Sequence, residues 1–298
     1  MSGQLETKER ATKQPTSNIS SSHVKQRDTV TEQSRKAFDA AAPVYDNEYE
    51  NLVAIKRIRL ITSRVIRQYF APGDVLLELN CGTGTDALHL GRHGIHVLAT
   101  DFSPMMIHEA QKKIADQQLK KFVSTQILSY LDLKNLCDRV FDGAYSNLGG
   151  LNCTNELYTV ARDLAVLIKP GGYFVAIVMS DLALWEMGAF LTRGKWRKAL
   201  RRRNPYGCLA DFHGGKVRTY YYSPKNFMAQ FSEFFKPVEI MGLNIFTPPP
   251  NSTRAYKSLG GLAHILEKLD DVLAHLYPFY RLGDHFLIVL KRKNTQLT

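Results

Sequence analysis

Between residues 52 and 179 the chain alternates short apolar runs with stretches whose apolar residues recur at helical spacing. Ile55, Ile58, Ile61, Val65 and Ile66 fall near a 3.6-residue period and predict a helix over Leu52–Tyr69, closed by the turn Ala71-Pro72-Gly73-Asp74. Val75–Leu79 predicts a strand, Thr85–His93 a helix, and Ile95–Thr100 a second strand that ends at Asp101. Pro104–Gln118 predicts a helix with proline in its first turn, where the missing N–H costs least. Lys121–Ile127 and Val140–Ser146 read as strands three and four. Asn155–Ile168 reads as a helix stopping at Lys169-Pro170-Gly171-Gly172, and Tyr173–Met179 as strand five. This alternation predicts an α/β fold, a parallel sheet with helices on both faces.

After Met179 the rhythm changes. Residues 180–225 are irregular, basic and aromatic, and too long for a plain connection, so they are expected to cap the active edge of the sheet. Ser223–Phe235 predicts a helix, Val238–Leu243 a sixth strand, Thr247-Pro248-Pro249-Pro250 a rigid loop, Tyr256–Leu276 a helix and Phe286–Leu290 a final strand. Upstream, Arg35–Ala42 favours a short helix broken by Pro43. Residues 1–33, rich in Ser, Thr, Gln and Lys, read as a disordered polar leader. The expected plan is one domain at 34–298, with N-terminal cap helices at 34–70 and substrate-cap insertions at 180–225 and 247–280.

Composition narrows the class. In 298 residues, 44% are apolar and 22% charged, which excludes global disorder, a collagen-like repeat and a disulfide-dense mini-protein. The net charge of +11 admits acidic substrates, nucleic acid or membrane headgroups and selects none of them. Cys81, Cys137, Cys153 and Cys208 form no C-x-x-C pair, so a zinc knuckle is not expected. Residues 1–33 lack the apolar core of a signal peptide. The longest apolar runs are strand-length, whereas a membrane-spanning helix needs roughly 20 apolar residues. A soluble, cytoplasmic protein without disulfides is the expectation. His264, His275 and His285 have no acidic partner at ligand spacing, so no metal is expected.

The strongest chemical signal is Glu78-Leu79-Asn80-Cys81-Gly82-Thr83-Gly84, which follows a strand and opens a helix. Glycines allow the backbone to turn sharply and approach a ligand, and a helix N-terminus offers free N–H groups to an anionic group. Asp101 ends the next strand, where a carboxylate can accept hydrogen bonds from both ribose hydroxyls of an adenosine cofactor. Gly82-x-Gly84-x-x-Ala87 also satisfies the nicotinamide dinucleotide fingerprint, so two cofactor classes fit.

The segment Val75-Leu-Leu-Glu-Leu-Asn-Cys-Gly-Thr-Gly-Thr85 resembles motif I of the class I S-adenosylmethionine-dependent methyltransferases. Asp101-Phe-Ser-Pro-Met-Met106 resembles their second-strand signature, Phe141–Gly150 their fourth-strand motif, and Leu167-Ile-Lys-Pro-Gly-Gly-Tyr-Phe174 their lead into strand five. Phe38-Asp39-x-x-Ala42-x-x-Tyr45-Asp46 resembles their N-terminal cap. The resemblance implies a Rossmann-like seven-stranded sheet, order 3-2-1-4-5-7-6 with the last strand antiparallel, and S-adenosylmethionine as cofactor. It implies that Gly82 and Gly84 pass beside the methionine part, while Glu78 holds its amino end or braces the loop. Asp101 would bind the ribose; Phe102 and Met106 would pack on the adenine, and Ser129 and Tyr130 would meet its edge. Asn147 and Leu148 would face the methionine part and the reacting methyl, with Tyr45 in the cap above. Two positions depart from the pattern: Asn80 replaces the first motif glycine, and Ser129 stands where an acid is common.

The second half carries candidates of its own. His213 is the candidate base, because its unperturbed pKa is near 6.5. Tyr220-Tyr221-Tyr222 reads either as the lining of an acceptor pocket or as a half-buried strand with Tyr220 and Tyr222 on one face. Residues 193–203 hold seven basic side chains in eleven positions, with Trp196 among them. That cluster is a candidate surface for an acidic substrate, a carrier protein, anionic lipid or nucleic acid, or simply a solvated helix face. Asn204-Pro205-Tyr206 lies outside the fourth-strand position that DNA amino-methylation requires, so DNA is not expected as a partner. Asp284-His285 precedes the final strand, and spacing alone does not bring it to the rim of the sheet. The expected function is methyl transfer from S-adenosylmethionine to an oxygen or nitrogen of a small organic acceptor. The alternatives are an NAD(P)-dependent oxidoreductase, a non-catalytic adaptor on the same fold, and an RNA methyltransferase.

Overall fold

The structure, a computed structural model, describes residues 32–250 and 252–294. The expected leader at 1–33 falls almost wholly outside them; residues 32 and 33 already belong to the first helix. In chain order the elements begin with α1 (32–41), a π-helical turn at Asp46–Glu50, and α2 (Val53–Tyr69). The alternating stretch follows as β1 (Val75–Leu79), α3 (Thr85–Arg92), β2 (His96–Asp101), α4 (Pro104–Asp116), β3 (Val123–Ile127), β4 (Phe141–Ser146), α5 (Leu157–Leu167) and β5 (Ile168–Met179). The insertion supplies α6 (Leu184–Leu191), α7 (Trp196–Ala199) and the hairpin β6 (Cys208–Phe212) and β7 (Gly215–Thr219). The chain closes through α8 (Pro224–Phe231), β8 (Phe235–Leu243), α9 (Thr253–Ser258), α10 (Leu262–Leu273) and β9 (His285–Arg292).

The central sheet has seven strands in the order β3-β2-β1-β4-β5-β9-β8. With the separate β6–β7 hairpin left out of the count, this is the expected 3-2-1-4-5-7-6. The last strand, β9, runs antiparallel to both β5 and β8. Both faces of the sheet are covered, so its central strands are apolar on both sides. Along β5, Phe174, Ala176 and Val178 pack with Phe227, Phe231 and Phe286 on one face, while Val175 and Ile177 pack with Ile66, Tyr145 and Leu287 on the other. None of these side chains is more than 1% exposed. Each large one contributes about 1.5–3 kcal/mol by burial.

Boundaries shift where long-range pairing overrides local pattern. β5 begins at Ile168 rather than Tyr173, because Ile168 already pairs with Phe141 before a bulge. The single helix expected over Tyr256–Leu276 is two, α9 and α10, broken at Gly260-Gly261, where Gly260 has φ +50°. α4 starts as expected, with Ser103 Oγ accepting from the Met106 amide at 3.1 Å and Pro104 in the first turn.

Candidate functional site

The carboxyl ends of the parallel strands open into a cavity of about 450 Å3, inside the roughly 300–1,000 Å3 range of ligand pockets. This is where ligands sit in open α/β sheets. Nine of the twelve expected cofactor residues line it: Tyr45, Asn80, Gly82, Asp101, Phe102, Met106, Tyr130, Asn147 and Leu148.

Asp101 organises the first end. Its Oδ2 accepts from the Gly82 amide and its Oδ1 from the Ser103 amide, both at 2.9 Å. The side chain is buried, and that burial pushes its pKa up to about 6 against the lowering pull of those amides. Asn80, the replacement for a glycine, takes φ +52°, a conformation asparagine tolerates. Its side chain then ties β1 to β4, accepting from Ser146 Oγ at 2.7 Å and donating to the Asn147 carbonyl at 3.2 Å. Room for it exists because residue 150 is glycine: a Cβ there would lie 2.0 Å from the Asn80 side chain.

The N-terminal segment closes over this end. Asp39 Oδ1 accepts from Ser103 Oγ at 2.6 Å, and Lys113 Nζ donates to Asp46 Oδ2 at 2.7 Å and to Thr83 Oγ1 at 3.0 Å. Tyr45 lines the cavity beneath this cap, and burial pushes its phenol up to about 12.

Three expected residues take other positions. Gly84 is not among the lining residues; it begins α3 at φ +77°, and a Cβ there would lie 2.9 Å from Ala110 Cβ, so it lets α3 approach α4. Glu78 is buried behind the loop, where burial raises its pKa well above the usual value. Ser129 Oγ accepts from the Leu131 amide at 3.2 Å, and Tyr130 is the one of that pair that lines the cavity.

The second end is built from the insertion and the start of β9. Because β9 runs antiparallel, its first residues sit at the rim formed by the carboxyl ends of β1–β5. Asp284 and His285 therefore reach the cavity. Arg202, 7% exposed, donates to Glu186 Oε2 and to Asp284 Oδ1, both at 2.7 Å, and to the carbonyls of Ser180 and Asp284. Burial alone would raise Asp284, but Arg202 and His285 outweigh it and hold the carboxyl well below the usual carboxylate range. His285 Nδ1 lies 2.9 Å from Asp284 Oδ2, close but out of line for a hydrogen bond. Arg201 also bonds Glu186, at 2.7 Å. The sequence had placed both arginines in a single basic cluster; here they are internal ion-pair partners.

The tyrosine run divides. Asn152 holds the Met179 and Tyr220 carbonyls with its amide, at 3.1 and 2.6 Å, which ties the end of β5 to the start of the tyrosine run. Tyr221 then lines the cavity, with the Arg202 guanidinium 4.7 Å above its ring. Tyr222 packs instead on the core and donates to the Thr154 carbonyl. β7 ends at Thr219, before the run begins, so the three tyrosines do not form the half-buried strand. His213 sits at the turn between β6 and β7 with φ +43°, its Nε2 3.0 Å from Glu48 Oε2, and is not among the lining residues. Sequence reasoning missed Arg59 as well. It pairs with Asp86 at 2.5 Å, and Asp86 in turn accepts from Asn147 Nδ2 at 2.9 Å. The signals for the second end were the tyrosine run, of which Tyr221 lines the cavity, the expected cap at 180–225, and the strand-end position of Asp284-His285.

A buried strand-end carboxylate, an apolar Phe102–Met106 wall and a glycine whose Cβ position faces open space fit an adenosine cofactor bearing an amino-acid tail. Comparison with known proteins agrees. Residues 76–172 match the family of methyltransferase domains. These residues form a class I S-adenosylmethionine-dependent methyltransferase domain. The chain containing this methyltransferase domain is 28% identical over 229 residues to uncharacterized protein MJ1252 of Methanocaldococcus jannaschii, covering 75% of this chain and 84% of that protein. It is 29% identical over 150 residues to the demethylmenaquinone methyltransferase of Symbiobacterium thermophilum, covering 49% of this chain and 59% of that enzyme. In fold, the chain is similar to a geranyl diphosphate methyltransferase solved with S-adenosylmethionine, with TM-score 0.53, 15% identity, and 80% and 87% of the two chains covered. Among the described residues no helix is long and apolar enough to cross a membrane, and no group of three or more His, Cys, Asp or Glu could hold a metal ion.

Proposed function

We propose that the protein transfers a methyl group from S-adenosylmethionine to an oxygen or nitrogen of a small, neutral organic acceptor. The observation that carries this reading is continuity: one cavity runs from Gly82 and Asp101 to Tyr221, Arg202 and His285. Asp101, Phe102, Met106 and Tyr130 would hold the adenosine part of the cofactor. Asn80, Gly82, Asn147 and Leu148 would hold its methionine part. When bound there, S-adenosylmethionine supplies a methyl group made electrophilic by its sulfonium.

The chain's own contribution is positioning and the exclusion of water. Charge at the second end is already balanced, with Glu186 and Asp284 answering Arg201 and Arg202, and Asp86 answering Arg59. An anionic acceptor would have to break one of these pairs, which favours a neutral one. Its body would rest on Met179, Phe212, Val217 and Tyr221. The Symbiobacterium relative is named for a quinone acceptor, and a ring of that kind suits such a wall. His285 would accept the proton of an acceptor O–H or N–H, with Asp284 stabilising the imidazolium that results. A cytoplasmic location belongs to the same reading, supported by four free cysteines.

The test is titration with S-adenosylhomocysteine and NADH, followed by transfer of labelled methyl to neutral phenols and quinols and to their carboxylated analogues. Binding of the homocysteine compound with transfer to the neutral set is expected. Binding of NADH alone, or transfer only to the carboxylated set, would overturn the proposal.

A further inference from the structure

Five cations of the basic run, Arg193, Lys195, Arg197, Lys198 and Arg203, remain outside the cavity. Residues 191–198, from Leu191 through Arg193, Lys195, Trp196, Arg197 and Lys198, are all exposed. No acidic residue occurs between positions 187 and 210. A purely solvated face would account for the cations. It does not account for Leu191 at 55%, Trp196 at 60% and Leu200 at 43% exposure among them. Arg197 stacks 5.2 Å from the Trp196 ring, so the cationic and apolar side chains share one surface.

A second exposed apolar surface lies on α10. Leu262, Ile265, Leu269 and Val272 follow 3-4-3 spacing, so they form one stripe on the helix. Each is exposed, while the buried positions Ala263 and Asp270 lie on the other side. The stripe therefore faces away from the protein. Lys268 lies beside it, and the one exposed acid of the helix, Asp271, is paired with Arg57 at 2.5 Å. The two surfaces are tethered through residue 246. Trp185 of α6 donates to the Phe246 carbonyl at 2.6 Å, and the Phe246 amide donates to Asp270 of α10 at 2.7 Å.

We propose that the α6–α7 lobe docks on an anionic phospholipid surface, with the outer stripe of α10 as a second contact. Cations interleaved with Trp and Leu suit a bilayer interface, where the rings and aliphatic side chains enter the headgroup boundary and the cations meet lipid phosphates. Aliphatic side chains have no partner on a nucleic-acid backbone, which argues for lipid over RNA. A second copy of a chain carrying +11 would bring like charge to like charge. The same lobe carries Glu186, Arg201 and Arg202 into the cavity wall, so docking places the second end of the cavity beside the bilayer. Docking stands independently of methyl transfer. Only the corollary that the acceptor arrives from the membrane rests on the proposed reaction.

The test is co-sedimentation of the full chain with vesicles of phosphatidylcholine alone and of phosphatidylcholine mixed with phosphatidylglycerol. Binding to the mixed vesicles only, weakened by salt, is expected. Replacing Arg193, Lys195, Arg197 and Lys198 together by Gln should weaken it by more than about a hundredfold, since each basic residue near the surface acts several-fold. Trp196→Ala should weaken it about tenfold, the effect of losing one inserted aromatic side chain. Unchanged S-adenosylhomocysteine binding in these variants would show that they fold. Equal binding to both vesicle types, full binding by the four-fold Gln variant, or tighter binding to single-stranded RNA than to the mixed vesicles would overturn the proposal. An unaltered affinity after Ile265→Ser with Val272→Ser would overturn the part given to α10.

Discussion

The two ends of the cavity are built by opposite means. The cofactor end is made of backbone and short side chains at consecutive strand ends, where one turn of sequence specifies one turn of structure. Asp101 there is held by amides of the segment it serves, Gly82 and Ser103. The other end is made of long charged side chains that are distant in sequence: Glu186 on α6, Arg202 after α7, and Asp284-His285 at the start of β9. The first end is local and therefore readable from a motif. The second exists only when the insertion folds onto the rim, and its stability depends on charge pairing rather than on turn geometry.

Arg202→Ala attacks that pairing and is expected to have the largest effect. It leaves Glu186 and Asp284 buried without their cation and should cost about 3–5 kcal/mol of stability in chemical denaturation. A loss below about 1 kcal/mol would mean that the pairs behave as exposed ones. His285→Gln should lower kcat by about a hundredfold or more with S-adenosylhomocysteine affinity unchanged, as removal of a general base does. An unchanged kcat would remove the base from this end. Asp101→Ala should weaken S-adenosylhomocysteine binding about a hundredfold, the loss of two charge-assisted hydrogen bonds. If affinity were unaltered, the ribose assignment would be wrong.

The pH dependence follows from Asp101. Its folded pKa, about 6, lies above its ordinary value of 3.8. The native state therefore binds more protons than the unfolded one between those values, and this carboxyl's contribution to stability falls as pH rises through that window. In the proposed function cofactor affinity runs the other way, because there the ionised form would accept the ribose hydroxyls. Affinity should be about tenfold weaker one unit below the pKa than well above it, and Asp101→Asn should abolish the inflection. The smallest effect is expected from His213→Ala. Its partner Glu48 is half-exposed, so kcat should change less than about twofold, and a large loss would return the hairpin turn to the site.

The contrast also explains what was legible in the sequence. The alternation of strands and helices, the glycine loop and the strand-end position of Asp101 were readable because local pattern and turn chemistry determine them, while the sheet order, Met106 and the strand-four end came with the family resemblance. Arg201 and Arg202 were not, because nothing distinguishes them from Arg197 or Lys198 in a basic run. Their pairing depends on Glu186, 15 and 16 residues earlier, and for Arg202 also on Asp284, 82 residues later. His213 looked chemical by residue type, but a left-handed turn conformation directed it to Glu48. Gly84, expected beside the ligand, meets a packing requirement against Ala110 that the motif does not show. The Gly260-Gly261 break was visible in the sequence but was overridden by the apolar periodicity on either side of it.

The most direct test of the two-ended cavity is one calorimetric series, S-adenosylhomocysteine titrated into the native protein, Asp101→Ala and His285→Gln. The account predicts binding to the native protein, about a hundredfold loss in Asp101→Ala and unchanged affinity in His285→Gln. No binding to the native protein, or equal losses in both variants, would contradict it.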